Sequence, residues 1–119
     1  MSSTNVNTSN EHAFNLTEAL ERVDGDMDLL KEIAEIFLED SPNQMKEIRD
    51  GISNGDATTV ERAAHTLKGS AGNFAAKRVY DAAYKLEVIG REERMGEAEG
   101  ALKTLEKEME ILKEALKTL

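Results

Sequence analysis

The last quarter of the chain carries the pattern that most restricts its fold. Met95, Ala98, Leu102, Leu105, Met109, Leu112, Leu116 and Leu119 recur in alternating steps of three and four, with Glu and Lys between them. This spacing predicts a helix, from about Glu92 to Leu119, with one narrow apolar stripe that must be covered by another element. Either helices of the same chain cover it, as in an antiparallel bundle, or a second chain does, as in a short coiled coil. Three more one-faced segments precede it, and each needs a partner of its own, which favours the bundle.

The first runs from Met27 to Ile52, where Leu30, Ile33, Ala34, Phe37, Met45, Ile48 and Ile52 keep one phase on a wheel of 3.6 residues per turn. Pro42 interrupts it, and a proline inside a helix costs about 3 kcal/mol. Because the stripe stays in register on both sides, the pattern predicts one long helix bent near Ser41, although Ser41-Pro42 also suits the cap and first turn of a separate helix. The second segment spans Ala57 to Phe74, with Val60, Ala64, Leu67, Ala71 and Phe74 in a stripe and Asp56 as cap. The third spans Lys77 to Ile89, with Val79, Ala82, Ala83, Leu86 and Ile89 facing inward. Gly51, Asn54, Gly55 and Gly90 read as punctuation between the helices.

A shorter segment, Leu16 to Val23, repeats at helical spacing after Phe14 and ends at Gly25. The expected fold is therefore all-α, an antiparallel up-down four-helix bundle with a short extra N-terminal helix, occupying residues 13–119. Met1 to His12 are rich in Ser, Thr and Asn and are expected to form a disordered tail or the remnant of a linker.

Composition narrows the partners. A net charge of -9 would repel both a nucleic-acid backbone and an anionic membrane surface, so neither is expected to bind. There are no cysteines, which removes disulfides, thiol catalysis and cysteine-ligated zinc. No apolar run approaches the roughly 20 residues of a membrane span, and no targeting signal is visible, so a cytoplasmic monomer is expected. Asp24, Asp26 and Asp28 with Glu35 imitate the outline of a calcium loop, but Leu29 stands where that loop needs glycine. The aspartates are better read as a cap for the next helix.

Chemistry concentrates on the helix from Ala57. Thr58, Glu61, His65, Lys68, Gly69 and Gly72 fall on a flank distinct from its apolar stripe, so His65 is expected to face outward above two residues without side chains. A glycine in a helix interior costs about 1 kcal/mol relative to alanine. Two of them beside the one helical histidine suggest a face shaved for another protein, with Lys68 spaced to reach an anion held there. Ser70 lies five residues on, about 140 degrees round the helix, too far round to pair with the imidazole. Neither His12 nor Glu61 completes a metal ligand set, and no metal is expected.

The run His65-Thr66-Leu67-Lys68-Gly69-Ser70-Ala71-Gly72-Asn73-Phe74 resembles the signature of histidine-containing phosphotransfer (HPt) domains, and helix order from Phe14 onward is similar too. Many members carry glycine just after the position of Phe74, where this chain has Ala75. The resemblance implies a phosphorelay intermediate in which His65 accepts a phosphoryl group from a receiver-domain phosphoaspartate and passes it on. It also implies attack through Nε2, with Lys68 offsetting charge on the phosphoryl oxygens, and Glu61, Gly69 and Gly72 as docking positions. Glu87, which shares a flank with Tyr80 and Tyr84, matches a position that in some members orients the imidazole; a solvated helix residue is the alternative. Partners would be receiver domains of response regulators or hybrid histidine kinases. No cofactor is expected on this chain, with Mg²⁺ supplied by the receiver, and no nucleotide-binding loop is present, so the chain is not expected to be an enzyme. A non-catalytic helical interaction module and a heptad-driven oligomer are the competing readings.

Overall fold

The computed structural model describes residues 13–119, and the predicted tail, Met1 to His12, lies outside the described residues. Within them the chain is all helical. A short helix α1 (Leu16–Arg22) leads to α2 (Met27–Ser53), α3 (Ala57–Gly72) and α4 (Lys77–Arg91), and a 3₁₀ turn (Met95–Glu97) leads into α5 (Ala98–Leu116). Contacts link α2 to α3, α3 to α4, α4 to α5 and α5 back to α2, which closes the four long helices into an up-down bundle. None is long and apolar enough to cross a membrane.

The terminal stripe is consumed inside the chain. Ala98, Leu102, Leu105, Met109, Leu112 and Leu116 are all buried, and Met95 and Leu119 pack at the margin of the core. Each of the other stripes supplies buried side chains to the same cluster, where Phe37 meets Phe74 edge-on at 5.5 Å. Asn15, Asp26 and Asp56 cap α1, α2 and α3 through side chains that accept the backbone N–H of Glu18, Leu29 and Thr59.

Helix α2 passes through Pro42 without a break. The proline removes one hydrogen bond, yet Phe37 and Met45 on either side are both buried. Burying such side chains contributes about 1.5 to 3 kcal/mol each, enough to offset the roughly 3 kcal/mol that the ring costs.

Several boundaries differ from the pattern-based reading. Helix α1 stops at Arg22, one residue short of the expected end. Helix α3 stops at Gly72, so Phe74 enters the core from beyond the helix. Helix α5 starts at Ala98, because Glu93 adopts a left-handed φ of 55° and the 3₁₀ turn intervenes. Gly51 and Gly90 lie inside helices. They are points of close approach: a Cβ on Gly90 would lie 2.7 Å from both the carbonyl oxygen of Ala57 and the amide nitrogen of Glu61.

The ends of α1 to α4 share one device. In each, a left-handed residue (Asp24, Gly55, Ala75 or Glu93) is followed by an N–H that reaches back to Leu20, Gly51, Ala71 or Ile89. This closure satisfies a terminal carbonyl and normally prefers glycine at the left-handed position. Ala75 adopts it at φ 52° against the steric preference of an L-residue.

Two substitutions test these constraints in urea denaturation. Gly90→Ala is expected to destabilise the bundle by about 2 to 3 kcal/mol, because the added methyl group meets backbone that cannot yield. Ala75→Gly is expected to be neutral or stabilising by up to about 1 kcal/mol, relief of strain exceeding the added freedom of the unfolded chain.

Candidate functional site

Helices α3 and α4 form the most extensive pair in the bundle, and Gly90 lets α4 approach the first turns of α3. One consequence is electrostatic. Glu87, one turn before Gly90, is carried into the crease between the helices, and its side chain is only 6% exposed. A carboxylate so placed loses most of its hydration and must be repaid by neighbours. Three groups surround it. Lys68 Nζ lies 2.8 Å from Oε1, Arg91 Nη2 donates to Oε2 at 2.7 Å, and His65 Nδ1 lies 3.1 Å from the same Oε2.

Burial pushes the Glu87 carboxyl upward most strongly of any single influence, but the close contacts of Lys68 and His65 and the charges of both together outweigh it. The net result holds Glu87 below the ordinary carboxylate range. It is therefore ionised at neutral pH and can only accept. In the neutral ring, the bond to His65 then requires the proton on Nδ1 and leaves the lone pair on Nε2. No hydrogen bond from the described residues engages Nε2, and the His65 side chain is 66% exposed. A fixed tautomer and a free nitrogen facing solvent are what a nucleophile needs.

Lys68 is more enclosed than its spacing suggested. Its ammonium sits 5.7 Å from the centre of the Tyr80 ring and 5.1 Å from that of Tyr84, as well as on Glu87, and its side chain is 16% exposed. Binding to Glu87 raises its pKa, against the opposing effect of burial, so it stays charged. The two tyrosines are half-exposed and act as the walls of this compartment.

The glycine flank lies where the sequence placed it. A Cβ on Gly69 would meet nothing within 4 Å, and one on Gly72 would only touch the Tyr80 ring at 3.9 Å. Beyond Gly72 the flank opens into a cleft lined by Asn15, Arg22, Lys77 and Tyr80. Glu61 shares the flank but is already engaged, accepting from Arg91 Nε at 3.2 Å. Ser70 turns away and donates to the carbonyl of Thr66, so it is no partner for His65. Among the described residues no group of three His, Cys, Asp or Glu side chains converges as a metal site.

Arg91 was missed by sequence reasoning. Its signal was present, since it lies one turn after Glu87 on the same flank, but without knowledge of how α3 and α4 cross, Glu87 itself was legible equally as a solvated residue. The structure removes that alternative.

The ionisation of Glu87 carries a pH signature. Because its folded-state pKa is depressed, the unfolded chain binds the proton more readily, so its contribution to stability is present above the ordinary glutamate value of about 4.3 and is lost as pH falls through the folded value. Glu87→Gln is accordingly expected to be less stable than wild type at pH 7. The difference should shrink between about pH 5 and about pH 3 in urea titrations.

Residues 32–115 match the family model described as the Hpt domain. The fold is similar to the crystal structure of histidine-containing phosphotransfer protein B from Pseudomonas aeruginosa PAO1, with a TM-score of 0.83 and 20% identity over 89% of this chain and 92% of that one. A search of curated proteins found no match.

Proposed function

The chain belongs to the Hpt domain family, the histidine phosphotransfer modules of phosphorelays, and from that premise we propose that His65 receives a phosphoryl group from a receiver-domain phosphoaspartate and yields it to another receiver domain. The observation that carries this reading is the imidazole itself, exposed at Nε2 and held at Nδ1 by an ionised carboxylate.

In the transfer step the Nε2 lone pair forms the N–P bond while the P–O bond to the aspartyl carboxyl breaks, and the aspartate leaves as a carboxylate. The ring keeps its Nδ1 proton throughout. The positive charge that develops on it faces Glu87, whose carboxylate orients and stabilises it. Lys68 shares its charge between Glu87 and the phosphoryl oxygens. Mg²⁺ and the remaining catalytic groups come from the receiver, which makes this chain one half of a composite site.

Docking uses the shaved flank. Gly69 and Gly72 let a receiver's backbone come close to the imidazole, Glu61 marks the near edge, and the cleft beyond Gly72 continues the surface. The transfer is expected to take place in the cytoplasm, between this chain as a monomer and receivers of response regulators or hybrid histidine kinases.

Two measurements test the proposal. A phosphorylated cognate receiver should label the wild type with an acid-labile phosphate and leave His65→Gln unlabelled; persistent labelling of that variant, or no labelling of the wild type by any receiver of the same cell, sinks the assignment. Gly69→Gln should fold normally, because its side chain enters open space, yet lose transfer by roughly tenfold or more, equivalent to about 1.4 kcal/mol.

A further inference from the structure

Arg91 stands outside every role assigned so far, yet it is the group that ties the site together. Its guanidinium bridges two helices: Nε donates to Glu61 on α3 at 3.2 Å, and Nη2 donates to Glu87 on α4 at 2.7 Å. Glu61 lies one turn before His65. Arg91 and His65 also meet on a single atom, since Glu87 Oε2 accepts from both, while Oε1 faces Lys68.

The carboxylate of Glu87 is thus pulled in two directions. Lys68 holds one oxygen, and the other reaches the imidazole only if the carboxylate keeps its present rotation about the terminal bond. That torsion is broad and does not hold itself. The second fixed point is Arg91, which is planar and is itself clamped by Glu61.

We propose that Arg91 is a positioning residue for His65: anchored on Glu61, it holds Glu87 Oε2 on Nδ1 and so keeps the lone pair of the imidazole at Nε2. The proposal rests on His65 being the phosphoryl acceptor. When the clamp is removed, Glu87 turns toward Lys68, Nδ1 loses its acceptor, and the proton is free to move to Nε2, which blocks the nucleophilic position. A lysine at this place pairs with Glu87 but lacks the fork needed to grip both carboxylates.

The test uses the full chain with His12→Gln, so that His65 gives the only histidine ring signals. Nitrogen-15 NMR of the ring at a pH where it is neutral reads the tautomer directly, and phosphotransfer at saturating receiver reads the chemistry. The parent is expected to show Nδ1–H. Arg91→Ala should show a mixture and transfer about tenfold more slowly, with receiver affinity little changed. Arg91→Lys should lie between them, and Glu61→Gln, which frees the Arg91 guanidinium from its anchor on α3 and loosens its hold on Glu87 Oε2, should move the ring signals in the same direction. Arg49→Ala, which breaks the ion pair with Glu106 between α2 and α5, should leave the tautomer as it was. Ring signals unchanged in both Arg91→Ala and Glu61→Gln overturn the proposal, whatever the transfer rate. A tautomer shift in a protein that accepts no phosphate at His65 supports the clamp and overturns the functional reading.

Discussion

The organisation of this bundle depends on how closely α4 can approach α3. Gly90 is the contact that sets it, with its bare Cα opposite the backbone of Ala57 and Glu61. Because the helices touch there, Glu87, one turn earlier on α4, is carried into the crease and is almost fully buried. A lone carboxylate in that position would be strongly unfavourable. Lys68 and Arg91 are therefore drawn to it, and His65 is drawn with them. The polar site follows from the packing constraint.

The same reasoning explains which parts of the molecule were legible in the sequence. Periodicity alone gave every buried stripe, including the phase of α2 through Pro42, because apolar burial acts on many residues at once and a single proline cannot outweigh it. Helix ends were most legible where glycine lies in the closing turn, as at Gly25 after α1 and Gly55 after α2. At Ala75 and Glu93 the same turn is made by residues that do not favour it, so the end of α3 and the start of α5 were misplaced. Gly90 was read as a stop because glycine is common there. Its actual role is steric and depends on a helix far away in sequence.

At the site, the wheel of α3 places His65, Lys68, Gly69 and Gly72 on one flank, since that placement is a property of one helix. Nothing on one helix could show that Lys68 is roofed by Tyr80 and Tyr84, or that Glu61 is held by Arg91. Those are contacts across the crease. They convert a set of outward-pointing side chains into a connected network with His65 at its rim.

Counting charges across that network has a consequence for how long a phosphoryl group would stay. Glu61 and Glu87 are matched by Lys68 and Arg91, so the cluster is formally neutral with the imidazole uncharged. A dianion on Nε2, as the proposed function requires, would find both cations already partnered and gain only a fraction of their attraction. On the proposed function, the bond it would form would be poorly sheltered, suited to brief custody and prompt release and unsuited to storage.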